Sequence, residues 1–166
     1  VFLNNDTVVQ DGLLGPLVRR LEDPDVRAAQ SLLLYPSGAV QCAGIAFPDT
    51  GGLPYPFLNG FPVEDAAGVD RLSFAALTGA ALAMRFEDVV ALRGFDPLFR
   101  NGMEDVDLCL RLAALRPGRC VVEPASVVTH LESRTPGRFA RVVGNRRLFL
   151  DRWRDATPRD DTRLWA

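Results

Sequence analysis

The segment RNGMEDVDLCLRL, residues 100–112, sets three acids, Glu104, Asp105 and Asp107, at the mouth of an otherwise apolar run. Acids grouped in this way can favour a helix start through its dipole, pair with a base one turn on, or take a proton from a substrate hydroxyl. Helical spacing separates these roles. With the helix beginning near Glu104, the positions Val106, Cys109, Leu110 and Ala113 form its buried stripe, and Asp107 stands on the wet side one turn before Arg111. Asp105 fits a purely structural role least, because Leu108 and Cys109, one turn on, border that stripe. Its carboxylate is expected to point toward the core edge or a cleft, and a partly buried carboxylate is what a general base requires. Spacing alone leaves the structural reading open, since acids at helix starts are common.

The elements that must position these groups follow from apolar patterning. FLNNDTVV begins as a short strand and breaks on Asn4-Asn5-Asp6, a polar cluster suited to a turn or a helix cap. GLLGPLVRRLED carries Leu13, Leu14, Leu17, Val18 and Leu21 at helical spacing and closes on Asp23-Pro24. SLLLYPSGAVQCAGIAF reads as two strands turning at Pro36-Ser37-Gly38. Residues 48–62, rich in proline and glycine, are expected to form a mobile loop. LSFAALTGAALAMRF breaks at Thr78-Gly79 between one element arriving and another leaving, with Gly79 as a strand-end glycine. A short helix ending at Arg93-Gly94 comes next, then the acidic helix, then one or two strands through RCVVEPASVVTHLES. Residues 138–153, with Phe139, Val142, Val143, Arg146, Arg147, Phe149 and Leu150, suggest a basic amphipathic helix, and the polar tail at 156–166 is expected to fray.

Composition excludes several classes. A chain of 166 residues that is 48% hydrophobic can bury one substantial core, and the balance of 19 basic against 21 acidic side chains gives nothing that would draw it to nucleic acid. Three widely spaced cysteines, Cys42, Cys109 and Cys120, form no C-x-x-C pair, which argues against a disulfide scaffold or a zinc site and toward a reducing, cytoplasmic setting. No run of 18 apolar residues and no signal segment is visible. The opening on VFLNND reads as a strand already under way, so a further N-terminal part is expected upstream. His130 is the single histidine, and a lone histidine after a strand is ordinarily structural.

TGAALAMRFEDVVALRGFDPLFRNGMEDVDLCLRL followed by VVEPASVVTH resembles the C-terminal half of inverting family 2 glycosyltransferases, in particular their bacterial rhamnosyltransferase-like members, and FLNNDTVV looks like a variant of their D-x-D motif. The resemblance runs from Phe2 to about Asn145, with the motifs in the family's order. It implies an α/β, GT-A-like mixed sheet flanked by helices over residues 1–155, lacking the N-terminal nucleotide-binding half. It implies that Asp105 is the base for an acceptor hydroxyl, with Glu104 supporting it or bonding the acceptor. Asp6 and His130 would hold Mg²⁺ or Mn²⁺, Asn4 would make an outer or ribose contact, and Gly79 would lie against a sugar. Because Asn4 replaces the first acid of D-x-D, Asp6 is the motif's one anionic ligand, and phosphates and water would complete an octahedral shell.

The implied reaction is metal-dependent transfer of a sugar, with inversion, from a nucleotide diphosphate sugar to a hydroxyl of a glycan or lipid-linked acceptor. Location at the inner face of a membrane, through peripheral association, and self-association of the uncovered sheet edge are further expectations. LDRW resembles the Q-x-x-R-W motif of processive polysaccharide synthases, but Phe149 stands at the glutamine position and no membrane span follows, which excludes that class. Arg146 and Arg147 read as a solvated helix face. A non-catalytic glycan-binding or scaffold module on the same fold is the alternative. A sugar nucleotidyltransferase is disfavoured, since its glycine-rich basic signature is absent from the sequence.

Overall fold

The strand that organises the molecule is VRAAQSLLL, whose side chains are buried on both faces, and such a strand needs a layer on each side of its sheet. In a computed structural model, which describes residues 1–131 and 141–166, it is β3, Val26–Leu34. The other strands are β1 (Phe2–Leu3), β2 (Thr7–Val9), β4 (Val40–Cys42), β5 (Ile45–Ala46), β6 (Tyr55–Pro56), β7 (Ala81–Met84) and β8 (Arg119–His130). Among the described residues the α-helices are α1 (Leu14–Glu22), α2 (Phe86–Leu92), α3 (Glu104–Leu115), α4 (Val142–Trp153) and α5 (Asp161–Trp165). The main sheet runs β1-β7-β3-β8-β2, with β4 also paired to β3, and β5 and β6 form a separate ladder. It is mixed: β3 and β8 are parallel, and the other pairs are antiparallel.

Two features of this sheet place the site. A bulge in β8 opposite Ser31/Leu32 follows Pro124, which cannot donate to the ladder. There the Ser31 and Ser126 hydroxyls bond at 2.8 Å, and Ser126 also donates to the Leu13 carbonyl ahead of α1. At the far end of β8, His130 pairs in register with Thr7 of β2, while β1 pairs with β7 just after Gly79. The two short N-terminal strands therefore bind opposite edges of the sheet, and the turn between them, Asn4-Asn5-Asp6, crosses the ends of the central strands.

Several sequence expectations are corrected. Residues 48–62 are anchored, not a mobile loop: β6 pairs with β5, and Phe57 and Leu58 are buried. Gly44 enables that packing, since at φ +108° it lies so close to the Phe74 ring that a Cβ would come within 2.5 Å of it. The tail does not fray. Phe47 N–H donates to Asp160 Oδ1 at 2.7 Å, Leu164 is buried, and the Trp165 ring packs 4.7 Å from Phe57. These anchors are single apolar or capping residues in polar surroundings, which periodicity does not register. In α3, Ala113 is exposed, while Asp107, Leu108 and Leu112 are buried with Val106, Cys109 and Leu110. The placement of Asp107 on the wet side is therefore wrong. In α4 the inward residues are Asn145 and Phe149, Val143 faces solvent, and the expected contribution of Phe139 lies outside the described residues. Arg146 and Arg147 are exposed, as expected.

Candidate functional site

The six candidates, Asn4, Asp6, Gly79, Glu104, Asp105 and His130, line one cleft of about 780 Å³ at the end of the sheet. Its remaining wall comes from the turn after α2, including Phe95, Asp96, Phe99 and Arg100. Within it the candidates form two groups joined by main chain, because Asn4 N–H bonds to the carbonyl of Ala80, next to Gly79.

The first group is built on α3. Met103 precedes the helix in a left-handed conformation, φ 72°, and its own side chain makes no capping bond. Glu104 turns back to accept the Gly102 N–H, bracing the residues that lead into the helix. Asp105 is half-buried and oriented by two amides: Oδ1 accepts the N–H of Val106 and Oδ2 that of Gly79, both at 2.8 Å. An added Cβ on Gly79 would stand 3.2 Å from Asp105 Cβ, so glycine is what allows this approach. Each oxygen has one amide partner and a lone pair left for a substrate proton. Thr78 is held from behind, its N–H donating 2.8 Å to the side-chain oxygen of fully buried Gln30.

The second group is the pair expected to hold a cation. His130 Nε2 lies 3.1 Å from Asp6 Oδ1 and 3.4 Å from the side-chain amide of Asn4. On the other side of the ring, Nδ1 lies 2.6 Å from Gln41 Oε1, an acceptor, so the Nδ1 proton points there. Gln41 is fixed in turn, since its carbonyl accepts the side-chain amide of Asn59 at 2.8 Å and its own amide reaches the His130 carbonyl. In the neutral ring this leaves the Nε2 lone pair facing a carboxylate oxygen, an arrangement that the Asn4 amide, a proton or a metal ion relieves. Asp6 Oδ2 is buried and has no partner among the described residues. The residues therefore fit a divalent cation: a carboxylate with one orphaned oxygen, an imidazole nitrogen beside its other oxygen, and a hydrogen bond that fixes the ring from outside. Protein donors alone do not complete a shell, as no group of three or more His, Cys, Asp or Glu converges among the described residues.

Asp107 takes no part in the cleft. It is fully buried, with Oδ2 accepting Arg111 Nε at 2.7 Å and Oδ1 accepting Arg152 Nη1 at 2.8 Å and Trp153 Nε1 at 2.9 Å. Sequence reasoning found its Arg111 partner and missed Arg152 and Trp153, which come from α4 and are invisible to local spacing. It also missed Gln30 and Gln41; their signal was a glutamine inside an apolar strand, which must find partners when buried. The three cysteines are free and buried. Burial pushes the Cys42 thiol up to about 12, whereas a hydrogen bond from Cys109 draws the Cys120 thiol down, with the Arg27 guanidinium 3.4 Å away adding to the effect.

No family model matches the chain. Its sequence is 37% identical over 119 residues to the O-antigen biosynthesis protein RfbC of Myxococcus xanthus, covering 69% of this chain and 9% of that protein. The chain thus spans under a tenth of the relative's length. Its structure is similar to that of GalNAc-T7, crystallised with UDP, GalNAc and Mn²⁺, at a TM-score of 0.55 and 20% identity over 86% of this chain and 30% of the other. At that identity the likeness is one of fold: a mixed sheet flanked by helices, as the sequence resemblance implies.

Proposed function

The chain has a GT-A glycosyltransferase fold, and on that premise we propose that it carries the acceptor and metal side of an inverting sugar transfer from a nucleotide diphosphate donor to a glycan or lipid-linked hydroxyl. The observation that carries this is the pairing, in one cleft, of an amide-oriented carboxylate at Asp105 with the Asp6–His130 pair, whose carboxylate oxygen and imidazole nitrogen stand 3.1 Å apart. An O-antigen biosynthesis relative and a neighbour bound to UDP, GalNAc and Mn²⁺ support sugar transfer in general.

In this reading Asp105 takes the proton of the acceptor hydroxyl as its oxygen bonds to the anomeric carbon, and the bond to the donor phosphate breaks on the opposite face. Gly79 and Val106 keep the carboxylate turned into the cleft. Asp6 and His130 would hold Mn²⁺ or Mg²⁺, with Asn4 beside them, and the cation would supply positive charge to the leaving diphosphate. Gln41 keeps the imidazole in the tautomer whose Nε2 can act as a ligand.

The test is release of nucleoside diphosphate from a panel of UDP- and dTDP-sugars by the full-length protein. Chelator is expected to abolish it and Mn²⁺ to restore it, with His130→Ala raising the Mn²⁺ needed for half activity by about 10–100-fold. Full activity in chelator would overturn the metal reading. For residues 1–166 alone, no transfer and no tight nucleotide sugar binding by calorimetry are expected, because the donor's base and ribose would be held elsewhere. Loss of that remote binding energy depresses turnover as well as affinity. Tight, metal-dependent donor binding by these residues alone would place the donor site within them.

A further inference from the structure

Arg152 and Trp153, at the end of α4, play no part in the chemistry above, yet both side chains converge on one atom, Asp107 Oδ1. Asp107 follows Asp105 by two residues in the first turn of α3. Arg152 Nη1 also lies 2.8 Å from Asp96 Oδ2, and its guanidinium sits 5.3 Å from the centre of the Phe99 ring. Asp96 and Phe99 belong to the cleft wall. Seven residues earlier on α4, the buried Asn145 holds the next part of that wall by its backbone, donating to the Arg100 carbonyl at 2.7 Å and accepting the Arg100 N–H at 3.3 Å. Arg111 closes the frame, bonding the carbonyls of Leu92 and Gly94, from which the wall departs.

Buried ions are a weak means of stabilising a fold, since apolar residues of equal volume often do as well; their directed bonds contribute geometry. Here the bonds tie the wall at residues 95–100 to α4, and α4 in turn to the helix that carries Asp105, with Arg152 bridging the two through Asp96 and Asp107. The charges are held firmly. Burial opposes the charge on Arg152, but its bonds to Asp107 and Asp96 outweigh burial and raise its pKa above the usual value. The Leu98 N–H keeps the Asp96 carboxyl below its ordinary range, against some desolvation and with Arg152 adding to the effect.

We propose that Arg152 and Trp153 are positioning residues, which through Asp107 and Asp96 set the cleft wall at residues 95–100 against the start of α3 and so fix where an acceptor hydroxyl meets Asp105. The proposal rests on reading Asp105 as the base. It assigns the R-W pair a role behind the acceptor wall rather than in contact with substrate.

Three variants of the full-length protein test it: Trp153→Phe, which removes one N–H and keeps a ring, Arg152→Lys and Arg152→Gln. Without substrate, amide hydrogen exchange at residues 95–103 should quicken about tenfold or more in Arg152→Gln and less in Arg152→Lys and Trp153→Phe, with β3 and β8 unchanged. With whichever UDP- or dTDP-sugar is turned over, kcat should fall about 10–100-fold in Arg152→Gln at unchanged donor KM, with partial recovery in Arg152→Lys. Unchanged exchange at residues 95–103 in Arg152→Gln, or a donor KM that rises at constant kcat, would overturn the proposal. Wild-type protein silent on every nucleotide sugar would remove the base assignment, and the exchange result would still decide whether α4 holds the wall.

Discussion

Asp105→Asn in the full-length protein is expected to cut turnover by about 10²–10⁴ while donor binding persists. The substitution keeps the shape and removes the site that accepts the substrate proton. It also has a structural cost that the geometry makes explicit. Both carboxylate oxygens accept a backbone N–H, from Val106 and from Gly79, and an asparagine can satisfy only one of them. The other amide would face an NH₂ group, which costs about 1–3 kcal/mol when a buried donor loses its partner. Turnover must therefore be scaled to the folded fraction, measured on the same sample by urea titration. Glu104→Gln is the companion variant: its side chain reaches the Gly102 amide, so a smaller loss is expected. Near wild-type turnover in folded Asp105→Asn would remove Asp105 from the chemistry.

Asp107→Ala is expected to lower stability by about 3–5 kcal/mol, the range for removing one partner from a buried ion cluster. The carboxylate has no exposure and serves three donors on Arg111, Arg152 and Trp153, so its loss leaves Arg111 with main-chain carbonyls alone and Arg152 with Asp96 alone among the described residues. Asp107→Asn should also destabilise, because one amide oxygen cannot serve all three. The urea midpoint should fall with little change in slope. A loss below about 1 kcal/mol would mean that water reaches the cluster and screens it.

These two acids show what was legible in the sequence. The helix around them, the turning of Asp105 toward a cleft and the convergence of Asp6 with His130 follow from apolar spacing and from motif order, both of which are local or sequential. The environment of Asp107 depends on α4, some forty residues downstream. The i,i+4 rule finds Arg111 but carries no information on whether the pair is wet or buried. The same limit explains the tail: Asp160 caps the Phe47 amide and Trp165 packs at a tilt against Phe57, contacts between segments more than a hundred residues apart in sequence. The second half of β3 was legible from the apolar run SLLL, whereas its first half, VRAAQ, interrupts the pattern with Arg27 and Gln30 and was not read as strand. β5 and β6, two residues each, are held by their pairing and offered no pattern to read.

The parallel pairing of β3 with β8 has a kinetic consequence. Residues 26–34 meet residues 119–129, so the central contact of the sheet closes a loop that contains most of the chain. Closing such a loop loses chain entropy before any native contact compensates, which places the rate-limiting barrier late and the refolding time toward the milliseconds-to-seconds end of the range for single domains. During synthesis, β3 and its hairpin partner β4 emerge long before β8, and for that interval an apolar strand edge stands open. A nascent chain stalled between α3 and β8 would therefore be the species most prone to aggregate, and the one on which a chaperone would be expected to act.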